Sequence, residues 1–139
     1  MTYLVKISHS RYRSILIIPA ITQMLTLLYM AFWGRPAATH SLGPDWLLHT
    51  LTYCILAILS WIALHGISPQ PDLGSHRFIG AVTAIVFGII DESIQFTVPV
   101  RTFDPMDILA DAAGAVLGIL LVSVYLAVAM KPSSKSSSP

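Results

Sequence analysis

GIIDESIQFTVPVRTFDPMDILAD, residues 88–111, sets five carboxylates between two apolar segments. The run before it, from Phe78, and the run after it, to Met130, are each long enough to form a membrane helix. Pro99 and Pro105 mark a loop between them. An Asp at the centre of a membrane helix costs about +2.5 to +3.5 kcal/mol, whereas each Leu or Ile contributes about −0.3 to −0.6. The adjacent Asp91 and Glu92 would therefore cancel roughly ten apolar residues if they faced lipid. They must face other helices, a polar cavity or the membrane surface, and acids so placed are candidates for function.

The rest of the chain has the same character. It has 139 residues, of which 55% are hydrophobic and 11% charged, and its mean hydropathy is +0.72. This is the composition of an integral membrane protein, and the length fits one domain. Its 8 Lys and Arg are scattered rather than gathered in a patch, which excludes a nucleic-acid-binding surface. The single Cys54 allows no intramolecular disulfide and reads as a small core residue.

Four spans are predicted, at about 14–33, 46–65, 78–96 and 108–130, giving an all-α four-helix membrane bundle. Residues 1–13 precede it, and the Ser-rich tail 131–139 is expected to be disordered. Arg11 and Arg13 precede the first span in the manner of a signal peptide, but its apolar run is long for one. Lys6, Arg11, Arg13, Arg77, Lys131 and Lys135 fall on one side of the membrane, against Arg35 and Arg101 on the other. Both termini are therefore expected in the cytoplasm. Asp45, Asp91, Glu92, Arg101, Asp104, Asp107 and Asp111 then gather at the outer end. Trp33, Trp46 and Phe103 suit the interface there.

Three polar pairs share an i, i+4 spacing: Asp45 with His49, Asp91 with Gln95, and Asp107 with Asp111. Such spacing puts both members on one helix face, and the three together suggest one shared polar site. Gly80, Ala84 and Gly88 on the third span, and Ala110, Gly114 and Gly118 on the fourth, step by four residues. Small residues so spaced let membrane helices approach closely, predicting a tight hairpin of these two spans. Asp45, after Gly43-Pro44, is also placed to cap the second helix.

Arg101 either forms a salt bridge to Asp91, Glu92 or Asp107, or binds a phosphate or carboxylate of a ligand. His49 is either a hydrogen-bonded structural group or, beside the carboxylates, an acid/base or metal ligand. A divalent cation held by the carboxylates, with or without His49, fits the chemistry of hard cations. No G-x-S-x-G and no glycine-rich phosphate loop is present.

The order Asp45-x-x-x-His49, Asp91-Glu92-x-x-Gln95-Phe96, Pro99-x-Arg101-x-x-Asp104-x-x-Asp107, then Gly114 and Gly118, resembles the VanZ-like membrane proteins. The likeness covers about residues 44–120. Trp46 stands where that family often has Lys, and Asp111 where it often has Asn. The resemblance implies a multi-pass protein of the bacterial cytoplasmic membrane, related to teicoplanin resistance, acting at the outer leaflet. It carries over Asp45, His49, Asp91, Glu92, Gln95, Arg101, Asp104 and Asp107 as the family's positions, and the converging polar cluster makes Glu92, His49 and Asp91 the catalytic candidates. Arg101, Gln95, Asp45, Asp104, Asp107 and Asp111 are the candidates for binding a phosphate-bearing envelope lipid. The alternative is a non-catalytic subunit of a larger membrane assembly, its acids and Arg101 serving as an internal staple.

Overall fold

The computed structural model describes residues 14–34, 43–68, 72–99 and 103–129. They form four α-helices, with no strand among the described residues: α1, Ile18–Trp33; α2, Asp45–Ile67; α3, Leu73–Thr97; and α4, Pro105–Ala129. The N-terminal segment, the tail and Arg101 lie outside the described residues.

Helices α2, α3 and α4 have 23, 25 and 25 residues and are long and apolar enough to cross a membrane. At 1.5 Å per residue they reach roughly 35–37 Å, against a hydrocarbon core of about 30 Å. Helix α1 is equally apolar but has 16 residues. It is shorter than the predicted 14–33 span because a turn at Leu16–Ile17 separates it from the helical Ser14 and Ile15, with Ile17 N–H bonded to the Ser14 carbonyl at 3.2 Å. Gly34, at φ +78°, closes α1 by donating to Met30 O at 2.8 Å. That left-handed conformation suits glycine, which has no Cβ to clash.

Helices α3 and α4 start earlier than hydropathy alone predicts, because polar side chains set their ends. Asp72 accepts from Gly74 N at 3.0 Å and from Ser75 Oγ at 2.5 Å, starting α3 five residues before the predicted Phe78. These bonds, that of Ser75 foremost, hold the exposed Asp72 carboxyl below the ordinary carboxylate range. At α4, Asp104 Oδ1 accepts from Met106 N at 2.8 Å, and Pro105 takes the first helical position, where its missing N–H costs nothing. Asp45 is the first residue of α2 rather than its cap. Pro44 precedes it, and no side-chain capping bond forms.

Helix α2 is the hub of the bundle, packing against α1, α3 and α4. Leu27, Tyr53, Leu56, Ala57, Ala84 and Ala115 make the core. The small residues act differently from the predicted α3–α4 hairpin. Gly114 and Gly118 of α4 lie against the backbone carbonyls of Thr50 and Cys54 on α2, while Gly80 of α3 meets the α2 backbone at Ala57 and Trp61. Of these four glycines, Gly88 alone meets the α3–α4 contact, and it does so by making room for Asp111. Four-residue steps define a smooth helix face without naming the helix that will use it.

Polar ties complete the packing. Gln23 of α1 donates to the Thr52 carbonyl of α2 at 2.8 Å, a contact worth about 0.6–1.7 kcal/mol between membrane helices. Towards the start of α3, Arg77 donates to Ser123 of α4 at 3.0 Å. Trp61 and His65 stack there at 5.3 Å. Most large apolar side chains of α4, including Leu109, Val116, Leu120 and Val124, are exposed. In water that surface would be a liability; in a bilayer it is the lipid contact.

Candidate functional site

The start of α2, the end of α3 and the start of α4 meet at one end of the bundle. His49 stands one turn into α2, and its side chain is 11% exposed. Its Nδ1 lies 2.9 Å from Asp111 Oδ1 on α4. Its Nε2 lies 3.7 Å from Asp107 Oδ2 and 4.0 Å from Asp45 Oδ1. The Asp45/His49 and Asp107/Asp111 pairs, each on one face of its own helix, thus converge on one imidazole.

The third pair divides. Asp91 Oδ2 accepts from the Tyr53 hydroxyl at 3.1 Å, whereas Gln95 Nε2 donates to Glu92 Oε1 at 3.1 Å. Both residues remain in the site, with different partners. Glu92 is fully buried, and Asp91, Gln95 and Asp111 are nearly so. The Asp104 backbone N–H approaches the Glu92 carboxylate, while the Asp104 side chain serves the first turn of α4. Asp104 therefore starts α4 with its side chain while its backbone borders the cluster.

Two buried oxygens, Glu92 Oε2 and Asp111 Oδ2, make no hydrogen bond. Such an oxygen costs about 1–3 kcal/mol, and more when it is charged. Among the described residues the charge is also lopsided. Asp45, Glu92, Asp107 and Asp111 lie about the His49 imidazole, with Asp91 beside them on Tyr53, while Arg77, the one Lys or Arg described, sits in α3's first turns at the other end. A partly open cavity of about 60 Å³ adjoins the cluster. His49, Asp91 and Gln95 line its polar side, and Leu27, Met30 and Ala31 of α1 its apolar side.

Against known sequences, the chain matches the VanZ/LLP1 family over residues 6–127. The chain belongs to the VanZ/LLP1 family. No curated protein and no solved structure matches it significantly. The VanZ/LLP1 match spans every residue of the cluster, together with Arg101. It agrees with the membrane character of α2, α3 and α4.

Two members of the VanZ/LLP1 site escape a reading for charge. Tyr53 holds Asp91, and its ring stacks on His49 with centroids 6.4 Å apart. Its signal was the i+4 step from His49, which continues the polar stripe of α2 by one turn. Gly88 is the other. A Cβ there would stand 2.6 Å from Asp111 Oδ2, so its smoothness admits the carboxylate rather than a neighbouring backbone.

Proposed function

We propose that this VanZ/LLP1 protein binds, and acts on, the head group of a phosphate-bearing envelope lipid at the outer face of a bacterial cytoplasmic membrane. The cavity carries this proposal: buried polar groups on α2 and α3 form one side, and the apolar side of α1 forms the other. A site for a soluble metabolite needs no membrane-depth apolar wall; a lipid head with chains attached uses both. Its volume holds several waters, at ~10–15 Å³ of such space each, and so suits the tip of a head group rather than a whole lipid. In this proposal Arg101 pairs with the phosphate. His49 and Glu92 exchange protons with the bound head, and Asp91 and Gln95 position it.

The test is lipid retention. Protein purified in a mild maltoside should carry phospholipid detectable by mass spectrometry. Arg101→Ala and Glu92→Gln should each lower that occupancy by about tenfold or more, the weight of one charged hydrogen bond, with helicity by circular dichroism unchanged. Retention equal to wild type in both variants would refute lipid binding at this site. A stoichiometric protein partner in place of lipid would favour the subunit alternative.

Orientation is part of the same proposal, since the outer leaflet is reached only if both termini are cytoplasmic. Ser41→Cys should react with an impermeant maleimide on intact cells, and Ser134→Cys only after lysis. The reverse pattern would put the cluster on the cytoplasmic face. Cys54 is buried and should contribute little background.

A further inference from the structure

We propose that His49, Glu92 and Asp107 bind a transition-series divalent cation, zinc being the best fit, with Asp111 orienting the histidine from behind.

One ligand atom from each of the three residues lies within 4.8 Å of the others. The distance from His49 Nε2 to Asp107 Oδ2 is 3.7 Å, beyond a sound hydrogen bond. It is close to the edge of a tetrahedron around an ion with ligands at about 2.0–2.2 Å, which is about 3.3–3.6 Å. The two atoms stand where partners of a common ion would stand.

His49 is also presented as metal-binding histidines are. Its Nδ1 is engaged by Asp111 at 2.9 Å, which leaves Nε2 turned towards Asp107 and Asp45. A carboxylate on one ring nitrogen fixes the tautomer and raises the basicity of the other, the usual support behind a metal-bound imidazole. The Asp111 carboxylate fits against α3 because residue 88 is glycine.

Glu92 supplies the independent observation. It is 0% exposed, and its Oε2 makes no hydrogen bond, although it belongs to the same trio of ligands. A buried carboxylate oxygen without a donor persists only at a cost, and a cation in the trio removes that cost. Two carboxylate ligands also balance a divalent charge, which matters at a depth where net charge is expensive. One imidazole with two carboxylates is a mixed nitrogen–oxygen set, which selects zinc or manganese over magnesium and calcium. Three protein ligands leave a coordination position for water or a ligand oxygen.

This site stands on the cluster alone and does not depend on the lipid proposal. Where both hold, the ion supplies the positive charge a phosphate needs among these acids.

The experiment is a calorimetric titration of full-length, tag-free protein in maltoside micelles free of phospholipid, after dialysis against a chelator, with Zn²⁺ as the probe. Wild type should bind one equivalent, and its thermal midpoint should rise on adding Zn²⁺. Glu92→Gln and Asp107→Asn should weaken binding tenfold or more and lose that rise. Asp111→Asn should keep the stoichiometry and bind about 10–100-fold more weakly. Asp72→Asn, at the distant α3 cap, should match wild type. Co²⁺ bound to wild type should give visible ligand-field bands sensitive to His49→Ala, a signature that a purely structural role for His49 would not produce. Absence of saturable binding or of a thermal rise in wild type overturns the site, whatever the variants do. Wild-type affinity in both Glu92→Gln and Asp107→Asn overturns it as well. Because no phospholipid is present, either failure leaves the lipid-retention result untouched.

Discussion

Gly114→Leu is expected to prevent formation of the bundle. A Cβ at residue 114 would overlap the Thr50 carbonyl oxygen, with the Thr50 carbonyl carbon at 2.9 Å and Cys54 N at 3.0 Å. These are backbone atoms of a continuous helix, so no rotamer change relieves the clash. Helices α2 and α4 would have to part, and the residues moved lie on the turn that follows His49. Overpacking against adaptable side chains costs typically 1–3 kcal/mol. Against rigid backbone, and with the His49–Asp111 contact also strained, the loss should exceed about 3 kcal/mol. Gly114→Ala should fall between wild type and Gly114→Leu, since it adds the clashing atom without the rest of the side chain. Ala113→Leu is the control: residue 113 is exposed on the lipid side of the same helix, and its effect should stay within about 0.5 kcal/mol. Unfolding by SDS titration in mixed micelles, followed by circular dichroism, measures all three. If Gly114→Leu unfolds within about 1 kcal/mol of wild type, α2 and α4 are not packed through this glycine.

What the sequence disclosed and what it hid divide along physical lines. The acids were legible because the cost of a carboxylate in an apolar segment depends on composition and depth, not on neighbours. The i, i+4 pairs were legible as faces for the same reason, and two of them do meet at His49. Partner choice was not legible. Gly114 and Gly118 have the spacing of a close contact but serve α2, because helix periodicity records a face and not what crosses it. Asp91 and Gln95 share a face yet bind Tyr53 and Glu92 separately, since side chains of different length reach different neighbours from one stripe. Asp104 resembled its acidic neighbours in charge, and only its position before Pro105 marked it as a helix-starting residue. Tyr53 was concealed because a tyrosine in an apolar helix resembles core, and burial gives no hint that its hydroxyl reaches an acid. Helix ends were misplaced outward or inward wherever a cap or a turn, rather than hydropathy, set the boundary, as at Asp72 and at Leu16–Ile17.

His49→Leu is expected to destabilise the fold by about 3–5 kcal/mol, the usual result of removing one partner from a buried ionic pair. Asp111 is 1% exposed and already has one oxygen without a hydrogen bond. Without the imidazole at 2.9 Å, its other oxygen loses its partner too. The cost is thus carried by the residue left behind, and the double variant His49→Leu/Asp111→Asn should recover most of it. Asparagine keeps the carboxylate's shape against Gly88 while removing its charge, so the second change adds no steric penalty of its own. Asp111→Asn alone should be milder than His49→Leu, because an amide still meets the ring nitrogen. A double-mutant cycle in micelles, with chelator present so that no ion contributes, should give a coupling of at least about 2 kcal/mol, towards the upper end of the 0.5–3 kcal/mol range of contacting pairs. Zero coupling would mean that Asp111 does not hold His49. Nothing would then fix which ring nitrogen faces Asp107, and the orientation on which the cation site depends would fail with it. Strong coupling without zinc binding would leave a different molecule: one in which the imidazole makes a row of acids tolerable within the bundle and does no further chemistry.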